Sequence, residues 1–426
     1  MRLELGRIRV KDAKLGPTTR LEGGVLAVNA AELKEKIAVD ERLEGVDVEL
    51  ARPGESARIV RVKDVIEPRV KVQGKGGVFP GFTGPVTTVG EGRTHVLDGV
   101  AVVTTGPIVG FQEGIIDMSG PVAEYTPFSK TCNVVLNCHT RPDLKQHQRE
   151  EAIRLAGLRA AAYLGEVARH VDSGDVTVYD TPEPINHADS GLPRVVYLYM
   201  LQSQGLLHDT FVYGVDAKRI LPTFMYPTEV MDGAIVSGNC VSACDKNTTY
   251  HHQNNPVIEE MYTCHGKDLV FVGVVITNEN VTMADKERSS DYAAKLVHAL
   301  GARGAIVTEE GFGNPDSDLI MNCVKLERLG IKTVLLTDEY AGRDGASPSL
   351  ADADDLADAV VSTGNANELV WLPPVERVLG DTTRLERLAG AFSGSLRRDG
   401  SLVVELQAIT GATNELGFSR LGARGQ

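Results

Sequence analysis

The richest chemistry in this sequence sits at the Asn239–Cys240 peptide bond, inside Met231-Asp-Gly-Ala-Ile-Val-Ser-Gly-Asn-Cys-Val-Ser-Ala-Cys244. A thiol on the residue that follows a peptide carbonyl can attack it and turn the amide into a thioester. Gly238, beside the bond, lets the backbone distort without a Cβ clash. Hydrolysis of the thioester frees an N-terminal Cys240. Elimination of the Asn239 thioacid instead leaves dehydroalanine, which hydrolyses to a pyruvoyl group and ammonia. A pyruvoyl carbonyl condenses with amines and acts as an electron sink. The expectation is a proprotein that cuts itself here and makes its own carbonyl cofactor. The plainer reading is a small, inert buried thiol. What weighs against it is the setting: Cys244 is near, and Asp245, Lys246, Asn247, Thr248, Thr249, Tyr250, His251 and His252 follow. Polar runs beside thiols are where sites gather. His251 or His252 is suited to passing protons near neutral pH, with a core or surface role as the equal alternative.

A metal reading fails on spacing. Cys240, Cys244, His251, His252, Cys264 and His265 do not form the paired knuckles that zinc requires, so no metal is expected. A Cys240–Cys244 redox pair has one residue too many for the usual Cys-x-x-Cys. The other cysteines, Cys132, Cys138 and Cys323, suit a cytosolic chain better as thiols than as a disulfide framework.

The elements that must position this chemistry follow from length and patterning. The chain's 426 residues exceed one ordinary core, and 42% hydrophobic with 24% charged residues is an average globular composition. A net charge of −14 argues against nucleic acid as the main partner. The start lacks an apolar h-region and no long uncharged apolar run occurs, so neither signal peptide nor membrane span is expected, and the location expected is cytoplasmic.

The fold class expected is α/β: a β-rich N-terminal domain followed by doubly wound, mostly parallel sheet units. Residues 1–140 alternate as short strands broken by Gly and Pro, with His95–Thr104 as the most hydrophobic strand. The stretch 111–130, with Glu113, Asp117, Glu124 and Lys130, reads as a solvated connector slightly ahead of an active-site lid. Residues 141–239 form a first α/β unit ending at the cleavage site, with a helix over 146–171 and a buried strand at Arg194–Met200. His208 and Asp209, in the polar turn after that strand, are site candidates or helix-start residues. Residues 240–426 form a second unit plus a C-terminal segment. Its strands are Leu269–Thr277, Ala305–Thr308, Thr333–Thr337 and Glu368–Leu372; its helices are Asp285–Leu300, Asp316–Leu329 and Leu350–Val361. Ligands bind at the carboxyl ends of such strands. Glu309, Glu310, Asp338, Glu339 and Arg343 are expected to converge there, helix capping being the competing role for the acids. Gly311-Phe-Gly313 does not complete a dinucleotide fingerprint.

Several blocks carry a family resemblance. They include Val48-Glu-Leu-Ala-Arg-Pro-Gly-Glu-Ser56, Gly92-Arg-Thr-His-Val-Leu97 and Gly110-Phe-Gln-Glu-Gly-Ile-Ile-Asp-Met-Ser-Gly120. Tyr226–Asp245, Ala284–Ser290, Glu309–Pro315, Thr337–Ala346 and Ile409–Gly417 complete them. Through these blocks, which run nearly end to end, the chain resembles the proprotein (α/β) subunit of component B of the glycine, sarcosine and betaine reductases. The resemblance places the cleavage at Asn239–Cys240 with Cys240 as pyruvoyl precursor. It implies a hetero-oligomer with a selenocysteine-containing subunit, since this chain has no such residue. It further implies reductive C–N cleavage of an amino acid or its N-methylated relative, carboxymethyl transfer to a carrier selenoprotein A, and acetyl phosphate as the eventual product. In that scheme Arg343 is the candidate for the substrate carboxylate, with Glu309, Asp338 and His208 as further substrate-binding candidates and Cys244 beside the cut. Betaine, with no N–H, cannot condense with a carbonyl, so a betaine enzyme would use the group otherwise. The alternative is an uncleaved scaffold that docks the selenoprotein partner. Cys132, Cys138 and His139 inherit no role.

Overall fold

Along Arg194–Leu201 the side chains alternate. Val196, Leu198 and Met200 point to one face, Tyr197, Tyr199 and Leu201 to the other, and all of them are buried. A strand buried on both faces belongs inside a parallel sheet. In the computed structural model, which describes residues 1–109, 112–184, 191–238, 241–382 and 385–416, it lies in a six-stranded sheet. The order is Thr223–Met225, Val270–Asn278, Arg194–Leu201, Gly304–Thr308, Lys332–Glu339, Val360–Asn365; only the first pair is antiparallel. Strands from both sides of residue 239 thus alternate within one sheet.

Two helices, Met283–Ala299 and Asn314–Arg328, cover one face, burying Ala293, Val297, Leu319 and Cys323 against Val196 and Leu198. The first starts at Thr282, whose hydroxyl accepts from the Asp285 amide at 3.3 Å, and the second has Pro315 in its first turn. Helix Pro256–Cys264 covers the other face with Val257, Ile258 and Met261. Each such aliphatic side chain, fully buried, contributes about 1.5–3 kcal/mol. The class is α/β, with helices on both faces of a mostly parallel sheet.

The early strands build two further sheets. One has the order Asp175–Asp180, Arg2–Arg9, Gly92–Asp98, Arg69–Gln73. The other runs Gly114–Asp117, Ala57–Ile66, Val100–Thr105, Cys132–Thr140, Leu43–Ala51, and Arg377–Gly380 adds to Ala57–Ile66 from far along the chain. Helix Gln146–Gly165 packs Ile153, Ala156 and Leu164 into the core beneath this sheet.

Three sequence expectations are corrected. His95–Thr104 is not one strand: Gly99, at φ 90°, turns the chain between two. The 111–130 stretch is not a solvated connector where described, because Gly114–Asp117 is a buried strand paired with Ala57–Ile66. No helix forms at 350–361. There, Asp352 and Asp354 accept from the amides of Ala353 and Leu356, and such local bonds compete with a helical ladder. The sheet's last strand is therefore Val360–Asn365. Leu369–Leu372 pairs instead with Leu402–Glu405 in a separate antiparallel ladder.

Charges are buried in pairs. Every residue of Ala57–Ile66 is buried, Arg58, Arg61, Lys63 and Asp64 included. Arg58 meets Asp117 at 2.6 Å, and Lys63 and Arg154 both hold Glu150, at 3.3 and 2.9 Å. Although burial opposes it, Arg154 and Lys63 draw the Glu150 carboxyl down to about 2. Replacing Glu150 by Gln leaves two buried cations without a counter-charge. Urea unfolding of E150Q is expected to show a loss of about 3–5 kcal/mol.

Candidate functional site

The parallel strands end in acids. Asn278 is followed by Glu279, Thr308 by Glu309 and Glu310, and Asp338 lies near the end of Lys332–Glu339. All four carboxyls are buried. They face the loop 241–248, which follows Asn239–Cys240 in sequence and is itself buried apart from Ser242. Asn247 bridges the cluster: its amide N–H donates to Glu310 at 2.9 Å, and its side-chain nitrogen donates to Glu415. The Glu310 amide donates to Glu279 at 3.2 Å, and the Thr413 hydroxyl to Asp338 at 2.9 Å.

The segment Ile409–Leu416 straps this loop in place. Its Gly411 and Thr413 amides donate to the carbonyls of Ala243 and Cys244, at 2.9 and 3.1 Å. Asn414 donates to the Lys246 carbonyl at 3.0 Å and to the Asn247 side chain at 2.5 Å. A polar run that reads as surface is thereby held wholly inside.

So many carboxyls out of water are kept neutral more readily than charged. Burial pushes Asp245, Glu279, Glu309, Glu310, Asp338 and Glu415 up; mutual repulsion adds to it, as Asp245 does for Asp338 and Glu310 for Glu415. Lys246 is the cation of the loop. Its ammonium donates to the Gly238 carbonyl, and burial, with Lys63 nearby, brings it down to about 8.

Gly238 is the last described residue before Asn239 and Cys240, which lie outside the described residues. Its amide donates to the Asp209 carbonyl, and a Cβ here would collide with the carbonyls of His208 and Asp209. Its φ is not in the left-handed region. Close packing, and not an unusual dihedral, is what requires glycine. The backbone entering position 239 is gripped from two sides, by a carbonyl on its N–H and an ammonium on its C=O. Before any cut at 239/240 the bond to be broken would start from a fixed anchor, so these residues fit the making of a reacting group at 240, which would itself head the other product.

Beyond this anchor opens a cleft of about 450 Å³, walled by Gln112, Gln202, Val241, Ser242, Asp245 and Phe312 among others. Phe312 stacks on Tyr340 with ring centroids 3.3 Å apart.

The other candidates divide. Cys244 is buried, and burial with the charges of Asp245 and Asp338 raises its thiol well above the ordinary value, so it stays protonated. His251 and His252 are buried, and each is brought down to about 3, by burial and then by His252 and by Lys246 respectively. Burial thus favours the neutral form of both, in line with the core role that stood as the equal alternative. His251 Nδ1 meets the Thr248 hydroxyl at 2.8 Å and His252 Nδ1 the Tyr199 hydroxyl at 2.8 Å, which is a packing role. His208 bonds Asp216 at 2.5 Å and lines a different cavity with Arg154 and Phe211. Arg343 does not converge with the acids. It bonds Glu405 at 2.7 Å, lies over Phe392, and its side chain is 46% exposed. Glu339 accepts from Ser349 at 2.6 Å outside the cluster. His139 pairs with Asp47 at the surface. Asp245, Lys246, Glu279 and Glu415 are the site residues not singled out as candidates; polar density after Cys244 was the signal for the first two, and the polar loop at a strand end was that for Glu279. Among the described residues no group of His, Cys, Asp and Glu is arranged to hold a metal, and no helix is long and apolar enough to cross a membrane.

With buried acids at the carboxyl ends of parallel strands and a cleft lined in part by Asp245, the chain is of the α/β class whose ligands bind at strand ends. A family profile described as glycine/sarcosine/betaine reductase component B subunits matches residues 1–424. The chain belongs to that family, whose members are subunits of reductase complexes. It is 62% identical to "Glycine reductase complex component B subunits alpha and beta" of Peptoclostridium acidaminophilum, with 100% of each chain covered. It is 55% identical to that organism's "Sarcosine reductase complex component B subunit alpha", again over 100% of both chains. It is 40% identical to its "Betaine reductase complex component B subunit alpha", over 98% of both. No solved structure matches the chain.

The raised Glu310 carboxyl has a consequence for stability. Burial lifts it to about 8, so the folded chain keeps a proton that the unfolded chain gives up above about pH 4. Its contribution is complete below the unfolded pKa and is lost as pH rises toward 8. In E310Q, urea unfolding between about pH 5 and 7 is expected to fall less steeply with pH than in wild type, by up to about 1.4 kcal/mol per pH unit.

Proposed function

We propose that this chain is the substrate-activating subunit of an amino-acid reductase complex, cut by its own chemistry at Asn239–Cys240 so that Cys240 becomes a pyruvoyl group. The observation that carries this is the anchor at Gly238, held by Lys246 and the Asp209 carbonyl at the edge of the cleft. That the 62% identical relative bears one name for subunits alpha and beta supports a single chain that becomes two. When present, the pyruvoyl carbonyl supplies an electron sink that condenses with the substrate amine.

The chain's own residues do the remainder. Lys246 fixes the backbone entering the reactive pair. The 409–416 strap holds the loop 241–248 dry around it, and exclusion of water strengthens each polar contact there. Asp245 is the one shelf carboxyl on the cleft wall among the described residues, and when ionised it favours a cationic amine over an anion. Reductive C–N cleavage then passes a carboxymethyl group to a carrier selenoprotein, with acetyl phosphate as the eventual product. A selenocysteine-containing subunit of component B supplies the selenolate, and the assembly is a cytoplasmic hetero-oligomer. The substrate is glycine or an N-methylated relative that retains an N–H.

Intact-mass measurement on denatured chain from working complex tests this. Two fragments are expected, meeting at 239/240, the second blocked to stepwise sequencing and lacking the Cys240 sulfur. In C240A a single full-length chain is expected. An unbroken wild-type chain in active complex overturns the proposal in favour of a docking scaffold, and a free N-terminal cysteine overturns the carbonyl.

A further inference from the structure

Within the acid shelf one carboxyl differs from its neighbours. Glu310 and Glu415 accept from Asn247, Glu279 from the Glu310 amide, and Asp338 from Thr413. Asp318 is taken by Lys286, and Asp316 accepts from the amides of Gly313 and Ala351. Lys246 directs its ammonium to the Gly238 carbonyl. Asp245 is 1% exposed, and neither of its carboxyl oxygens has a hydrogen-bond partner among the described residues. Glu309 shares that condition, but it faces Asp316 and forms no part of the cleft wall. Asp245 does form part of that wall, together with Val241, the residue after position 240.

A buried carboxyl without a partner is costly, and a ligand that completes it removes that cost. Among the described residues the wall around Asp245 contains glutamines, a serine, an aromatic ring and aliphatic carbon, with no cation. The charge of Asp245 bears on Cys244, Glu310, Asp338, Tyr340 and Glu415, none of them a cation. The ligand that fits is small and cationic, and it bears N–H donors.

We propose that Asp245 binds the substrate's ammonium in this cleft and takes a proton from it. This rests on the carbonyl reading above, because only a neutral amine can add to a carbonyl. In the step, one N–H bond of R–NH₃⁺ breaks and an O–H bond forms on Asp245. R–NH₂ and a neutral carboxylic acid result, with no change of oxidation state. Asp245 acts in its carboxylate form, which a bound cation favours over the protonated form that burial favours in the empty cleft. Burial pushes the carboxyl up to about 8, toward the value of about 10 for an aliphatic ammonium, so the transfer is not steeply uphill.

The test uses the complete complex carrying D245N, with glycine and its hydroxyl counterpart glycolate as probes. Calorimetric dissociation constants and intact masses are measured for wild type and variant. The expected result is a D245N chain still cut at 239/240. Its glycine affinity should fall roughly 10- to 100-fold, the loss of one charge-assisted hydrogen bond, while glycolate binds as in wild type. Unchanged glycine affinity overturns the assignment. So does an equal loss for glycolate, which would mark general damage, and so does an uncut D245N chain, which would place Asp245 in processing. A wild-type chain that binds glycine uncut overturns the carbonyl reading and the proton transfer with it; a cut chain indifferent to D245N overturns Asp245 alone.

Discussion

Packing carboxyls together out of water is possible only if most of them keep their protons or find donors, and the architecture around the strand ends supplies both. Asn247 and Thr413 donate to the acids, Asn414 holds Asn247 in place, and the backbone amide of Glu310 donates to Glu279. Lys246 alone among the loop's side chains brings positive charge, and it is directed at a backbone carbonyl. An isolated ionised carboxylate in such a place would be costly by several kcal/mol. Everything else about the site depends on this balance. The strap must close to deliver its donors, the loop must lie buried to receive them, and the strands must end in register to bring their acids to one edge.

The balance gives the cleft its chemical character. Protonated acids donate hydrogen bonds, and ionised ones attract cations, so a small shift in local charge changes what the wall presents. The histidines beside it do not share in this. Held neutral by burial and bonded to Thr248 and Tyr199, they pack in the interior and do not line the cleft. Their proximity in sequence to a reactive pair suggested acid–base work, but water is what would let them charge, and water is excluded.

How much could be read from the residues depended on the range of the forces involved. Arg194–Leu201 and the helices over 283–299 and 314–328 follow from local periodicity, and the structure has them within a few residues of the expected bounds. Glu309, Glu310 and Asp338 follow from a topological rule about strand ends, and they do meet. Glu415 could not be found that way, because its partner Asn247 lies 168 residues away. Arg343 looked free to hold a carboxylate only because Glu405 was invisible as its neighbour. The stretch 350–361 has helical spacing of apolar residues, yet its aspartates bond their own backbone first. Gly238 was correctly marked as special for the wrong reason: its freedom of rotation matters less than the space its missing side chain leaves for His208 and Asp209.

The interleaving of the central sheet has a bearing on timing. Arg194–Leu201 is hydrogen-bonded on one side to Val270–Asn278 and on the other to Gly304–Thr308. Halves severed beforehand would have to find each other by diffusion and thread a middle strand between two outer ones. An intact chain does this as one molecule, at the high effective concentration that a tether confers. Any scission at 239 is therefore an act of the mature fold, and its two products are born clasped together.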